Sequence, residues 1–193
     1  MEADWEFEIG PDAPVIDASW ESLVNLAAHP EKATELPEAA DFPQLAEALI
    51  RLNRPDAIVR TSKCDVWPVN LDEESLDTDE LDAPPGMAEA ASACYIDLTA
   101  RDPQRWEKPD TIRQDCVDLC AQLRLVSLRC CRTDLVIRRA VFAGKVALGV
   151  TAYLTACGQS EEAAKIVLGE ALHTFADSVL AVWANRNSNS PLQ

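Results

Sequence analysis

Seven cysteines, two histidines and a run of arginines are the residues of this 193-residue chain whose chemistry could exceed packing. Cys116 and Cys120 stand four apart, which on a helix sets both thiols on one face and would offer two ligands to one metal ion. Zinc asks for about four such ligands, and the sequence offers no evident second pair. Both cysteines share a helical stripe with Ile112, Leu119 and Leu123, so thiols buried as small hydrophobes account for them and no metal site is expected. Vicinal Cys130 and Cys131 are the better redox candidates, because Arg129 and Arg132 flank them and a nearby cation depresses a thiol's pKa. In a strand their side chains would point to opposite faces, one into the core and one toward solvent. An odd cysteine count, in a chain that opens on acids and no base before Ile9, points to reduced thiols and a cytoplasmic protein.

His29 and His173 are the only histidines, which excludes most histidine-based acid–base schemes and any multi-histidine metal centre. Glu170, His173 and Asp177 fall on one face of the last predicted helix at the Glu-x-x-His spacing of di-iron bundles. No second copy occurs, so a solvated His173 paired with Asp177 is the expectation. Asp77, Asp79 and Asp82 lack the EF-hand order, with Asp82 where glycine belongs and no glutamate at the twelfth position. The six glycines form no phosphate-binding loop and no serine sits in a nucleophile elbow, so no cofactor is expected.

The elements that must hold these residues read as one α+β domain over residues 1–184, a mainly antiparallel sheet covered by helices, with a frayed tail at 185–193. Trp5-Glu-Phe-Glu-Ile9 alternates as an edge strand, and Trp20, Leu23, Val24 and Ala27 suggest a helix capped by Asp17 or Ser19. Asp41 is the expected cap of a helix carrying Phe42, Leu45, Ala46, Leu49 and Ile50. Residues 57–67 read as a strand, 68–92 as a long acidic loop, and Cys94–Leu98 as a strand with Cys94, Ile96 and Leu98 on one side. Asp110 should cap the cysteine-bearing helix. Residues 126–139 and 146–157 form a hairpin about residues 143–145, and Ser160 starts a final helix with Ala164, Leu168, Ala171, Phe175 and Val179 inside. The longest uncharged stretch of the second half, 146–160, falls short of the ~18 residues a membrane crossing requires.

Seventeen Lys and Arg against 33 Asp and Glu give a net charge of −16, which repels nucleic acid and anionic lipid. The acids concentrate in residues 1–100 and the bases beyond them. Arg124, Arg129, Arg132, Arg138, Arg139 and Lys145 enclose a single acid, Asp134; pairing with the acidic N-terminal half is the expectation, an anion or acidic-peptide site the alternative.

The order helix, strand, strand, helix, strand, strand, helix over residues 42–183, a pI near 4.4, and the segment ALGVTAYLTACGQSEE at 147–162 resemble the type III secretion chaperone fold. That resemblance implies a small acidic protein, often dimeric, that binds partner polypeptides and has no catalytic residues. The 68–92 loop, the seven cysteines and the N-terminal segment depart from the pattern, and no binding residue is carried over. The leading expectation is a non-enzymatic, chaperone-like interaction module that takes a protein partner with a basic segment, homodimerises, and presents Trp67, Tyr95, Tyr153, Arg138 and Arg139. The alternative is a small-molecule binder or enzyme with a pocket between sheet and acidic loop, using Asp65 or Asp97 with Arg138 or Arg139.

Overall fold

A computed structural model describes residues 1–18, 24–71, 76–142 and 144–185. The predicted hairpin is its spine. Strands β5 (Cys131–Phe142) and β6 (Lys145–Gly158) pair antiparallel around Gly144, whose φ of 75° is the left-handed conformation that a tight turn takes from glycine most readily. Strand β4 (Ala90–Ala100) adds antiparallel to β6, and β3 (Val59–Val69) to β4. On the far side of β5 run β1 (Glu2–Phe7) and β2 (Val15–Asp17), both parallel to it. The result is one mixed, mostly antiparallel, open sheet in the order β1-β5-β6-β4-β3 with β2 beside β5, an α+β fold as the sequence predicts. From residue 43 to 185 the principal elements follow the predicted order.

Strand alternation sorts the side chains. Val150, Ala152, Leu154 and Ala156 of β6, Cys94, Ile96 and Leu98 of β4, and Leu135 and Ile137 of β5 meet the helices α2 (Pro43–Leu52, which follows the one-turn α1, Pro37–Ala40), α3 (Pro109–Arg124) and α4 (Glu161–Asn185) in one core. The predicted inner face of α4 is correct, with Ala164, Leu168, Ala171 and Phe175 wholly buried. Ser160 Oγ accepts the Ala163 N–H at 3.2 Å, and Glu161 and Glu162 complement the positive end of the helix. Length and composition alone would let α4 cross a membrane, a feature the search for uncharged stretches overlooked; here it packs between the sheet, α2 and α3.

Several expectations shift. Pro43 and Pro109 occupy first helical turns whose caps are Phe42 and Lys108, so Asp41 lies before its helix and Asp110 inside its own. The helix expected from Asp17 falls mostly on residues 19–23, outside the described residues. Its flanks are not helical, since Asp17 ends β2 and residues 26–28 form a turn. The edge strand begins at Glu2 and stops at Phe7, and β5 begins at Cys131. The acidic loop is shorter than 68–92 because strand extends to Val69 and resumes at Ala90. It is also anchored: Leu81 packs with Val69, Ala91, Ala93, Cys130 and Cys157 in a second, smaller core. The tail beyond Asn185 lies outside the described residues.

One buried polar cluster ties the helical layer together. Asp115 of α3 has no exposed surface, and its carboxylate accepts from Trp106 Nε1 at 2.9 Å and from the Arg105 guanidinium at 3.1 Å. Its carbonyl accepts from Trp183 Nε1 of α4 at 3.0 Å, and the two indoles meet edge to face with centroids 5.3 Å apart.

Candidate functional site: the face of the sheet without helices

The helices cover one face of the sheet. The alternate residues of each strand lie on the other, and register decides which become neighbours. Tyr95 of β4 stands opposite both Asp65 of β3 and Tyr153 of β6, while Tyr153 stands opposite Asp134 of β5. The aromatic rings form a continuous row: Trp67 and Tyr95 have centroids 6.3 Å apart, Tyr95 and Tyr153 6.0 Å. Arg138 of β5 ends the row, donating to Tyr153 Oη at 3.0 Å and to Thr151 Oγ1 at 3.1 Å, with its guanidinium 5.5 Å from the Tyr153 ring centre. Glu8, just past β1, holds Arg138 from the far side at 2.5 Å. Four of the five predicted binding residues therefore share one surface. Arg139 does not, because neighbouring strand residues point to opposite faces; it donates to the Gly10 and Pro11 carbonyls instead.

Beneath this row lies a charged group. Asp97 is 7% exposed and accepts from Thr151 Oγ1 at 2.6 Å, so Asp97, Thr151 and Arg138 form a short polar chain. Burial pushes the Asp97 carboxyl above the usual carboxylate range, although Thr151 and Arg138 oppose the shift. Burial and the nearby carboxylates Asp97 and Asp65 push the Tyr95 phenol up to about 12, so it stays protonated at neutral pH. The raised Asp97 pKa has a signed consequence. Between the unfolded value of about 4 and the folded value, the native state keeps a proton that the unfolded chain has lost. The stability it contributes is whole below that window and gone above it. Asp97→Asn does not titrate, so its stability relative to the parent protein should rise as pH climbs above about 4 and level off once pH passes the folded value. Urea unfolding of both proteins across that range checks this, and a pH-independent difference contradicts it.

The ends of the sheet differ. Along edge strand β3 a cleft of about 500 Å³ opens, walled by Val24, Leu26, Leu36 and Pro37 and rimmed by Glu38, Lys63, Asp65 and Tyr95. It lies against the 24–38 segment, not between sheet and acidic loop as expected; Asp65 reaches it, whereas Asp97, Arg138 and Arg139 do not line it. Cys64 also lines it, its thiol pushed up to about 12 by burial and nearby acids, a poor nucleophile.

The basic run pairs internally. Arg124 donates to the Ala3 carbonyl at 2.8 Å, Arg129 pairs with Asp82 at 2.7 Å, and Arg132 pairs with both Asp134 and Glu80. Arg129 and Arg132 thus face carboxylates, and burial raises the Cys131 thiol to about 12. Both vicinal cysteines are buried, Cys131 in the helix-side core and Cys130 in the small core under the loop, so neither points to solvent. Cys116 and Cys120 lie in the main core with raised thiol pKa values, and among the described residues no group of three potential ligands could hold a metal ion. His173 meets Glu47 of α2 at 2.7 Å, and Asp177 pairs with Arg51, so the expected His173–Asp177 pair does not form.

No protein-family model, no curated protein and no solved structure matches the chain.

Proposed function

We propose that the chain is a non-catalytic, cytoplasmic interaction module that docks a partner polypeptide across the face bearing Trp67, Tyr95 and Tyr153. The carrying observation is the unbroken aromatic row, ended by the Arg138–Glu8 pair, on a sheet face that no helix covers among the described residues. Large, stiff aromatic side chains bury much area at little entropic cost, which is why they dominate binding hot spots. The net charge of −16 favours a partner segment that carries Lys or Arg, and the aromatic faces offer such cations a second attraction.

The test is native mass spectrometry of protein purified gently from its own host at low salt, followed by titration of whatever polypeptide co-purifies. Salt should release that polypeptide, and Trp67→Ala or Tyr153→Ala should each weaken its binding about tenfold or more, with unchanged circular dichroism. Binding unaffected by both substitutions removes this surface from consideration. A second reading rests on the cleft: about 500 Å³ is within the size of small-molecule pockets, Tyr95 belongs to both the cleft and the row, and Asp65, opposite Tyr95, lines the cleft too. A small molecule retained in place of a polypeptide, and lost on Leu36→Trp, favours that reading over the first.

A further inference from the structure

The cysteine that faces Cys130 is not its neighbour in sequence. Hairpin pairing runs down to Cys131 opposite Ala156, and the next pair continues it, with Cys157 N–H donating to the Cys130 carbonyl at 2.9 Å. The two side chains belong to the same small core, and Cys130 is among the neighbours that, after burial, push the Cys157 thiol up to about 11. Cys130 is the residue just before β5, and that single backbone hydrogen bond holds it across from Cys157; residues opposed on antiparallel chains have Cα atoms about 4.5–5.5 Å apart, inside the range a disulfide spans. Cys130 also holds a φ of 61°, a left-handed conformation that a non-glycine residue adopts at a cost. By contrast Cys131 belongs to the core on the other side of the sheet, so the vicinal cysteines face apart, as strand alternation predicts.

We propose that Cys130 and Cys157 are a reversible dithiol–disulfide pair, closed by a small-molecule disulfide such as glutathione disulfide. Cys130, 6% exposed against 0% for Cys157, is the group an incoming disulfide reaches first. Its thiol gives up a proton to water, and the thiolate attacks one sulfur of glutathione disulfide, breaking that S–S bond and expelling one glutathione thiolate. Cys157 then loses its proton and attacks the Cys130 sulfur of the mixed disulfide, expelling the second glutathione. Two protein thiols are oxidised by two electrons, one glutathione disulfide is reduced to two glutathiones, and the two released protons end on the leaving thiolates. Access depends on the acidic loop: its Leu81 shares the small core with the pair, and the adjacent Asp82 is held by Arg129. The acidic loop is therefore the cover of the thiol pair, and the exposed Arg129–Asp82 bridge is its fastening.

The experiment uses the full reduced chain in glutathione/glutathione disulfide buffers, quenched with acid, alkylated and digested for peptide mapping. The expected product is one intramolecular disulfide joining the peptides of Cys130 and Cys157. Cys157→Ser should stop at the mixed disulfide on Cys130, and Asp82→Asn should speed closure roughly twofold or more by loosening the loop. Cys64, the most accessible cysteine, may be replaced by serine beforehand without touching the pair. Formation of a Cys130–Cys131 bond, persistence of both thiols in a folded protein, or closure seen only in urea would each overturn the assignment.

Discussion

Asp115→Ala should unfold the protein at markedly lower temperature than any surface substitution. Removing the carboxylate takes from the Arg105 guanidinium, 14% exposed, its carboxylate partner, although the Trp183 carbonyl still accepts from it, and takes from the buried Trp106 N–H its acceptor. Breaking one partner out of a buried pair costs about 3–5 kcal/mol, because the other charge stays desolvated. For a chain of this length that amounts to a melting-temperature drop of roughly 6–20 °C. The loss should be global, since the cluster joins the 103–106 turn, α3 and α4. Asp56→Ala is the control: it breaks the exposed Arg54–Asp56 pair and should change stability by less than about 0.5 kcal/mol. Thermal melts followed by circular dichroism decide it, and equal behaviour of the two variants would refute the role given to Asp115.

Gly158→Ala should cost about 1–3 kcal/mol, while Gly169→Ala is neutral or stabilising. At Gly158, where β6 hands the chain to α4, a Cβ would stand 2.7 Å from the Ala164 backbone nitrogen and 2.8 Å from Ala163 Cβ. Those atoms belong to the first turn of the central helix, so relief requires α4 to move off the sheet. At Gly169, inside α4, the nearest atom is Gln44 Cγ at 2.9 Å, on a flexible side chain that can turn aside. There the gain in helix propensity, up to about 1 kcal/mol, is retained. Denaturant midpoints of the two variants that move together would contradict this distinction.

Local pattern carried most of the fold. The hairpin and the amphipathic stripes of α2, α3 and α4 are written in strand alternation and helical periodicity, each within a few dozen residues. The aromatic row was legible for the same reason: Tyr95 and Tyr153 occupy the strand positions opposite in parity to the core residues Cys94, Ile96, Ala152 and Leu154. Parity also forbids Arg138 and Arg139 from sharing a face, a constraint the first grouping of binding residues did not apply. The Cys130–Cys157 opposition follows from the turn between Phe142 and Lys145 once register is counted outward, whereas the flanking arginines gave no sign that carboxylates from the acidic loop would occupy them. Other features had no local signal. The Asp115 cluster joins α3 to residues of a short 3-10 turn and of α4, and the cleft requires knowing where the 24–38 segment settles. Caps at Phe42 and Lys108 were missed because a following proline outweighs a nearby aspartate in setting where a helix starts.

The parallel pairing of β1 with β5 has a consequence in time. Arg138 reaches Glu8 across 130 residues of chain, so this contact closes a loop whose entropy must be overcome before it contributes anything. The β5–β6 hairpin closes through a two-residue connection and is available early. On the ribosome, therefore, β1 emerges ahead of the other strands of this sheet yet waits for the chain to pass Phe142 before its partner exists. Until then its packing residues, Ala3 and Trp5, have no core to join, while Glu2, Asp4, Glu6 and Glu8 keep the waiting segment hydrated and averse to strands of like charge. The acidic alternation that identifies β1 as an edge in the finished fold is thus also its protection while the fold is unfinished.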